Sequence, residues 1–414
     1  MERYDYLIVG GGVAGVTAAE VIREGDPHGS IAVISREPHL LYSRVLLPHF
    51  VKGLIRREQL FLRTAEDYRA KNIRLHLGRD AAGLDAAGRR IRLAGGEEIL
   101  FGNLLIATGG RPRPLGIADE EIAGVSRFQT IEDAERMRER LPSSTRAVVV
   151  GGGFIALEYL DILSRAGIPS ALLVAEPHFF SRFVDAAGGA FLHEHFRRNG
   201  IDPIVTNDEL AEIRGSAALV GIRTRRGQTI GCDFLGVGIG LSRNVSGLAE
   251  SGIALTPRGV AVNEFLETAV PGIFAAGDIA DVLDDQSGRR VLGGTWGNAV
   301  LQGRVAARNM GVRSGDAEPY RTATAYAIRC LGVYIACIGA AGEAPGVDAV
   351  SRIGRGREWY ERFFFRGDRL VGAVLINRPE SQRAASMLIG EGVPLGAARA
   401  RFAEEAFDIA SVIP

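Results

Sequence analysis

Cysteine is scarce in this chain of 414 residues, and the three present, Cys232, Cys330 and Cys337, form neither a CxxC pair nor a zinc-ligand grouping. They are too few to ligate an iron–sulfur cluster, and they read as packing residues or idle thiols, because a free cysteine behaves as a small hydrophobe. Lysine is scarcer still: Lys52 and Lys71 are the only two, every other basic residue being arginine, which leaves little room for Schiff-base chemistry. Net charge is absent as well, with 49 basic residues against 49 acidic ones, so no global field favours nucleic acid or an anionic membrane. No run approaches the roughly 20 apolar residues of a membrane-spanning helix. The N-terminus enters a strand-like segment without a basic and apolar leader, and the expectation is a soluble cytoplasmic protein with neither a membrane nor a nucleic-acid partner. Its 46% hydrophobic content is ordinary for a globular chain of two or three domains.

Glycine, by contrast, is plentiful at 54 residues, and two glycine fingerprints stand 141 positions apart. They are Gly10-Gly11-Gly12-Val13-Ala14-Gly15 and Gly151-Gly152-Gly153-Phe154-Ile155-Ala156. Each follows an apolar strand-like run, Tyr6-Leu7-Ile8-Val9 or Ala147-Val148-Val149-Val150, and each opens a helix-like stretch. In such a unit the first glycine makes a tight turn and the second lets the backbone approach a pyrophosphate. The third small residue, Gly15 or Ala156, lets helix and strand pack closely, while the helix N-terminus offers unpaired N–H groups to the phosphates. One fingerprint is weak. Two in strand–turn–helix context, each followed by a second strand that ends near an acid, predict that the chain binds two dinucleotides.

Residues 1 to about 113 read as the first nucleotide-binding unit, running through Ile31-Ala32-Val33-Ile34 to Leu104-Leu105-Ile106-Ala107-Thr108-Gly109. The segment Arg111-Pro112-Arg113-Pro114 marks a boundary, since neither proline can donate a ladder hydrogen bond. A second unit spans 114–243, and the last hundred residues lack a fingerprint and read as a mixed, strand-rich domain. These landmarks, with Pro271-Gly272-Ile273-Phe274-Ala275-Ala276-Gly277-Asp278 and Trp296-Gly297-Asn298-Ala299, resemble in order and spacing the flavoprotein reductases with the two-dinucleotide fold of glutathione reductase. Within that superfamily the chain is most similar to rubredoxin and ferredoxin reductases and to the flavin portion of assimilatory nitrite reductase. The resemblance implies an α/β fold of two Rossmann-like domains plus a C-terminal α+β interface domain. FAD would sit on 1–113 completed by 244–316, a nicotinamide nucleotide on 114–243, and the interface domain would be 317–414.

The resemblance also assigns residues. Asp278, after a buried apolar strand and Gly277, would accept hydrogen bonds from the ribityl hydroxyls, an N-cap or turn role being the alternative. Arg36, Arg44, Arg111 and the Ala107-Thr108-Gly109 turn would line the flavin nucleotide, and Gly240 the nicotinamide nucleotide. Glu37, 22 positions after Gly15, either reaches the adenosine ribose or is a solvated loop charge. Glu176, 20 positions after Ala156, would bind the 2′-hydroxyl and repel a 2′-phosphate, favouring NADH over NADPH. Trp296 sits where relatives place an aromatic beside the flavin ring, a core role being the alternative. His49 occupies the position of a basic residue that pairs with a glutamate of the second fingerprint helix, here Glu158, where the flavin and nicotinamide sites meet. A carboxylate on an apolar helix needs such a partner, and histidine would make the pair sensitive to pH.

The stretch Leu41 to His49, where disulfide reductases of this superfamily carry a thiol pair, holds no cysteine, so no thiol relay leaves the flavin. The arginine- and aromatic-rich stretch from Arg352 to Arg369 is diluted by Glu358, Glu361 and Asp368, and reads as a hairpin with one solvated and one core face. No metal site is expected. The expected function is hydride transfer from NADH to FAD and onward transfer to a small iron–sulfur or rubredoxin-type protein. Direct reduction of dioxygen, a quinone or another small acceptor is the main alternative, and a non-turnover NADH-sensing flavoprotein a second one. The sequence leaves a homodimer open.

Overall fold

The computed structural model describes residues 1–118, 121–284, 289–291, 294–311, 316–321 and 325–413. The chain divides into two compact units, one made of Met1–Val45, Arg57–Arg111 and Ser242–Thr324, the other of Leu46–Arg56, Pro112–Leu241 and Ala325–Pro414.

In the first unit, strands with continuous apolar runs are buried on both faces, as a parallel sheet requires. Strand Glu2–Val9 pairs in parallel with Ile31–Ser35 on one side and Glu98–Ile106 on the other. Ile73–Leu77 extends the sheet beyond Ile31–Ser35, and Ile273–Ala275 returns some 170 residues later to pair with Leu104, Leu105 and Ile106. That late strand completes the layer. An antiparallel hairpin, Ala81–Asp85 with Arg90–Leu93, adds to the first half of Glu98–Ile106. Helix Val13–Gly25 packs against helix Trp296–Met310, and closely: a Cβ on Gly303 would lie 2.4 Å from the Ala14 carbonyl oxygen.

The second unit repeats the plan around Ala147–Val150, which pairs in parallel with Ser170–Val174 and Phe234–Val237. Ile201–Thr206 and Val125–Ser126 form the edges. A three-stranded antiparallel sheet, Leu210–Gly215, Leu219–Thr224 and Thr229–Gly231, covers it through Ile213 and Ile222, which cluster with Val148 and Leu173. Residues 46–56 group with this unit, where Phe50 of helix Leu47–Val51 lies under the Arg138 guanidinium at 4.9 Å.

The C-terminal part of this unit is a five-stranded antiparallel sheet in the order Ala325–Cys330, Val333–Gly339, Arg369–Ile376, Tyr360–Arg366, Asp348–Ile353. The alternation expected of Tyr360–Arg366 is absent, since Tyr360 through Phe365 are all buried. One reason is the 3-10 segment Gly396–Ala403, which lays Phe402 against Phe363 and Phe365 at ring separations of 5.0 and 5.2 Å. The other is a buried ion pair: Arg352 Nε donates to Glu361 Oε2 at 2.6 Å while Arg352 Nη1 donates to the carbonyls of Glu404 and Phe407. A charged residue inside a sheet needs such a partner. Arg352 thus holds the C-terminal segment in place.

Candidate functional site

Six α-helices among the described residues open with an extended residue at the N-cap, and four of them carry a side-chain cap. Thr64, Thr130, Asp185 and Thr295 each accept a hydrogen bond from a backbone N–H of the first turn. The two exceptions are the fingerprint helices, capped by Gly12 and Gly153 with no side-chain acceptor and no acid in the first turn. The orphan N–H groups and positive dipole end of these two helices are therefore left for an external anion.

The glycines in each fingerprint divide their labour. A Cβ on Gly10 (φ +128°) would sit 2.1 Å from the Ala107 carbonyl oxygen, and one on Gly15 would sit 2.0 Å from the Gly10 carbonyl oxygen. These two close the turn against the sheet. Around Gly12, by contrast, an added Cβ would meet nothing within 4 Å. The second fingerprint matches: Gly151 (φ +132°) would clash at 2.3 Å with the Gly238 carbonyl oxygen, while Gly153 faces open space. Both cradles thus have room beside an uncapped helix end into which a dinucleotide pyrophosphate would fit, and Val13 and Ala14, like Phe154, Ile155 and Ala156, form the first turn of these helices.

In the first unit the residues expected around FAD fall on two groups of elements. Ala107 hydrogen-bonds back to Val9, and Thr108 and Gly109 are fastened to Asn244 by three hydrogen bonds, Asn244 Nδ2 donating to the Thr108 carbonyl at 2.8 Å. Gly277 (φ +80°) opens a 3-10 turn, its N–H donating to Gln302 Oε1 at 2.7 Å, and presents Asp278. Burial pushes the Asp278 carboxyl above the ordinary range, opposed by Arg243, 3.9 Å away, and by Arg44. Glu37 is no solvated loop charge. Its two oxygens accept from Arg44 Nη2 at 2.5 Å and from the Tyr42 hydroxyl at 2.6 Å, so it orients Arg44. Arg36 and Arg111 are exposed, and Trp296 stands half-buried as the first residue of its helix, after the Thr295 cap. Arg243, Asn244 and Gln302 were not anticipated from the sequence. All three lie on the returning segment, which carries no fingerprint of its own.

In the second unit Glu176 is exposed, and its Oε2 lies 3.3 Å from where a Gly152 Cβ would be. It makes no side-chain hydrogen bond or ion pair among the described residues. An unpartnered carboxylate beside the glycine turn is suited to accept from a ribose diol. Gly240 (φ +95°) faces open space and accepts the Arg113 N–H at 3.0 Å. Phe154 packs edge-on against Phe180 and Tyr326, with centroids at 4.7 and 4.4 Å.

The expected pair of His49 with Glu158 does not form. His49 makes no hydrogen bond or ion pair to that carboxylate, and its ring lies at the surface. Partial desolvation and the Lys52 ammonium hold its pKa below the ordinary value, against the pull of Asp161, so it is a poor cation. The cation is Lys52, at the C-cap of the same short helix, whose Nζ lies 2.7 Å from Asp161 Oδ2, one turn beyond Glu158 on the fingerprint helix. Asp161 Oδ1 accepts the Leu331 N–H at 2.6 Å. Glu158 is hydrogen-bonded to Cys330, and its pKa is pushed up to about 7 by burial and by Asp161, against the opposing charge of Lys52. The sequence did carry a signal for Lys52, one of only two lysines in the chain. Cys232 and Cys330 are buried and Cys337 half-buried; desolvation pushes the thiols of Cys232 and Cys337 up to about 12 and also raises that of Cys330, so none is a ready nucleophile. No group of residues able to hold a metal ion, and no helix long and apolar enough to cross a membrane, is present among the described residues.

The model of the pyridine nucleotide-disulphide oxidoreductase family matches residues 4–303. The ferredoxin–NAD(+) reductase component of the p-cumate 2,3-dioxygenase system of Pseudomonas putida is 32% identical over 386 residues, covering 92% of this chain and 91% of its own length. Putidaredoxin reductase CamA of Pseudomonas putida is 29% identical over 403 residues, with coverage of 94% and 92%. Among solved structures, the crystal structure of the covalent putidaredoxin reductase–putidaredoxin complex superposes with a TM-score of 0.88 at 26% identity, covering 95% of this chain and 94% of that one. The matched span takes in both open glycine cradles and the returning strand with Gly277 and Asp278, and the chain belongs to the pyridine nucleotide-disulphide oxidoreductase family.

Proposed function

We propose that this protein is an FAD-dependent NADH reductase that passes electrons to a small iron–sulfur protein. The observation that carries the reading is the pair of uncapped, open glycine cradles in a chain with no thiol pair beside the first of them. Bound FAD supplies a two-electron acceptor for hydride and a donor of single electrons. The chain's residues hold and orient. Gly12, Val13 and the first turn of their helix would bind the FAD pyrophosphate, with Asp278 accepting from the ribityl chain and Arg44 and Arg243 balancing its charge. Gly153 and its helix would bind the NADH pyrophosphate. Glu176 would accept from the adenosine ribose and repel a 2′-phosphate, which favours NADH over NADPH. An iron–sulfur partner is favoured because the ferredoxin–NAD(+) reductase relative aligns over nearly the full length of both chains, and because the free thiols have raised pKa values.

Anaerobic titration with NADH, followed by stopped-flow mixing with a [2Fe–2S] ferredoxin, a rubredoxin, a quinone or dioxygen, tests this. Rapid bleaching of the flavin band by NADH and fast reoxidation by an iron–sulfur protein are expected. Colourless protein that takes up neither FAD nor FMN refutes the flavin assignment. Fast reoxidation by dioxygen or quinone alone replaces the partner, and a long-lived reduced complex with every acceptor makes the protein a sensor.

A further inference from the structure

Glu176 opens a loop that returns to the second glycine turn, and the loop is fastened at three backbone points. The Glu176 carbonyl accepts the Asn207 N–H at 3.0 Å, the Phe179 N–H donates to His193 Nε2 at 3.0 Å, and the Phe180 N–H donates to the Gly152 carbonyl at 3.1 Å. Two of the three partners are backbone groups. The third is a side chain, on helix Ala186–Arg198, and is the one a substitution can remove. That helix is shaped to receive the loop. A Cβ on Gly188 would lie 2.7 Å from Val184 Cβ, and one on Gly189 would lie 2.4 Å from the His178 ring. Phe179 is wholly buried, and its ring meets Phe196 of the same helix edge-on at 5.0 Å. Phe180 stands at φ +60°, a left-handed backbone that a bulky side chain rarely adopts, and such strain persists only where the surroundings over-determine it.

We propose that His193 is a positioning residue for nucleotide specificity: by holding the Phe179 N–H it keeps the Glu176 carboxylate beside the glycine turn, where that carboxylate selects a 2′-hydroxyl over a 2′-phosphate. The proposal rests on the reading of Glu176 as the acceptor for the adenosine ribose. A backbone N–H directed at Nε2 needs the lone pair there, so the ring is neutral with its proton on Nδ1. Burial, with Arg197 and His178 adding to it, lowers the His193 pKa to about 4, and the acceptor persists throughout the neutral range. Without it the Phe179 N–H is a buried donor lacking a partner, a state the loop relieves by moving toward water. Glu176 lies three residues away, and its carboxylate has no side-chain partner of its own among the described residues. The loop backbone alone therefore sets where that charge stands. A displaced carboxylate accepts less well from the ribose diol and repels a 2′-phosphate less.

The test is equilibrium binding of NAD+ and NADP+ to the oxidised, FAD-loaded protein, in a cycle of Glu176→Ala, His193→Ala and the double variant. Glu176→Ala should narrow the preference for NAD+ about tenfold, and His193→Ala about three- to tenfold, mostly by weakening NAD+. The double variant should narrow it no further than Glu176→Ala alone, because a residue that acts through Glu176 then has nothing left to position. His193→Gln, whose Oε1 has the reach of Nε2, should keep the parental ratio, whereas His193→Asn, whose oxygen falls where Nδ1 was, should behave as His193→Ala. Where His193→Ala does not fold, His193→Asn takes its place in the cycle. Hydrogen exchange across residues 176–184 should quicken in His193→Asn and stay parental in His193→Gln. An unchanged ratio in His193→Ala, an equal loss of NAD+ and NADP+ affinity, additive narrowing in the double variant, or equal ratios in His193→Gln and His193→Asn overturns the proposal and leaves the reading of Glu176 intact. A parental ratio in Glu176→Ala overturns that reading and the proposal with it.

Discussion

Replacing Gly12 by serine should leave the folded first unit at least as stable without flavin, yet weaken its hold on FAD. The backbone at Gly12 has φ −76° and ψ −178°, which serine adopts without strain, and an added Cβ meets nothing within 4 Å. The new hydroxyl can accept from the first-turn N–H groups, as Thr295 does at the helix packed beside it. That cap contributes a few tenths of a kcal/mol relative to glycine, about 0.3 kcal/mol. The same N–H groups are the ones a pyrophosphate needs. Losing one or two hydrogen bonds to a charged acceptor, each worth roughly 1.5 to 3 kcal/mol, lowers FAD affinity by about ten- to a hundredfold or more. Gly10→Ala is the control. Its Cβ would lie 2.1 Å from the Ala107 carbonyl oxygen at a φ of +128°, which combines a backbone clash with strain and should remove about 3 kcal/mol or more of stability. Differential scanning calorimetry of the FAD-free proteins, with FAD affinity from fluorescence quenching, separates the two effects. Unchanged FAD affinity in Gly12→Ser, or a loss of affinity accompanied by a fall in apo stability as in Gly10→Ala, refutes the assignment of this helix end to the pyrophosphate.

The other predictions use the same logic of separable effects. Glu176→Ala should narrow the preference for NADH over NADPH about tenfold, if one charge repulsion is worth roughly 1.4 kcal/mol, and equal use of both nucleotides by the parent would show that Glu176 does not select. Asp278→Ala should lower FAD retention on dialysis by removing the ribityl acceptor and the carboxylate that faces Arg243, whereas full retention would reduce Asp278 to a turn residue. Anaerobic reduction should end at two electrons per flavin and be unchanged in Cys232→Ser and Cys337→Ala, because desolvation raises both thiol pKa values and keeps them protonated; a four-electron end point with a thiolate-to-flavin charge-transfer band would reveal a redox disulfide. Asn244→Ala, which cuts the side-chain bond of the three hydrogen bonds between the returning segment and the Thr108 turn without touching either fingerprint, should weaken FAD binding with no effect on ADP-ribose binding to the second unit.

What could be read from residues alone follows from the range of the forces involved. The fingerprints were legible because a tight turn, a close packing contact and an open helix end lie within six consecutive residues, and each restricts residue type locally. A Cβ on Gly10, Gly15 or Gly151 would clash with backbone, whereas one on Gly12 or Gly153 would meet open space. Burial of Tyr360–Arg366 on both faces was not legible, because the partner of Phe363 is Phe402 and the carbonyls that satisfy Arg352 belong to Glu404 and Phe407, and no local pattern announces contacts of that separation. The cation beside Glu158 was misassigned for a related reason. Position in the family pattern pointed to His49, but ion pairing is decided by charge and reach. Lys52 lies one turn further on, its Nζ reaches Asp161 at 2.7 Å, and its permanent charge disfavours a second cation at His49. The exception of a lysine in a chain that otherwise uses arginine marked the position. Arginine would bring a planar fork of five donors to a corner where Asp161 already accepts the Leu331 N–H, whereas a compact ammonium makes one short bond to Asp161. On this argument Lys52→Arg is not a conservative change: it keeps the positive charge but should disturb the Cys330–Leu331 strand end. A thermal midpoint that stays parental in Lys52→Arg would show that charge alone, and not the shape of the cation, is what this corner requires.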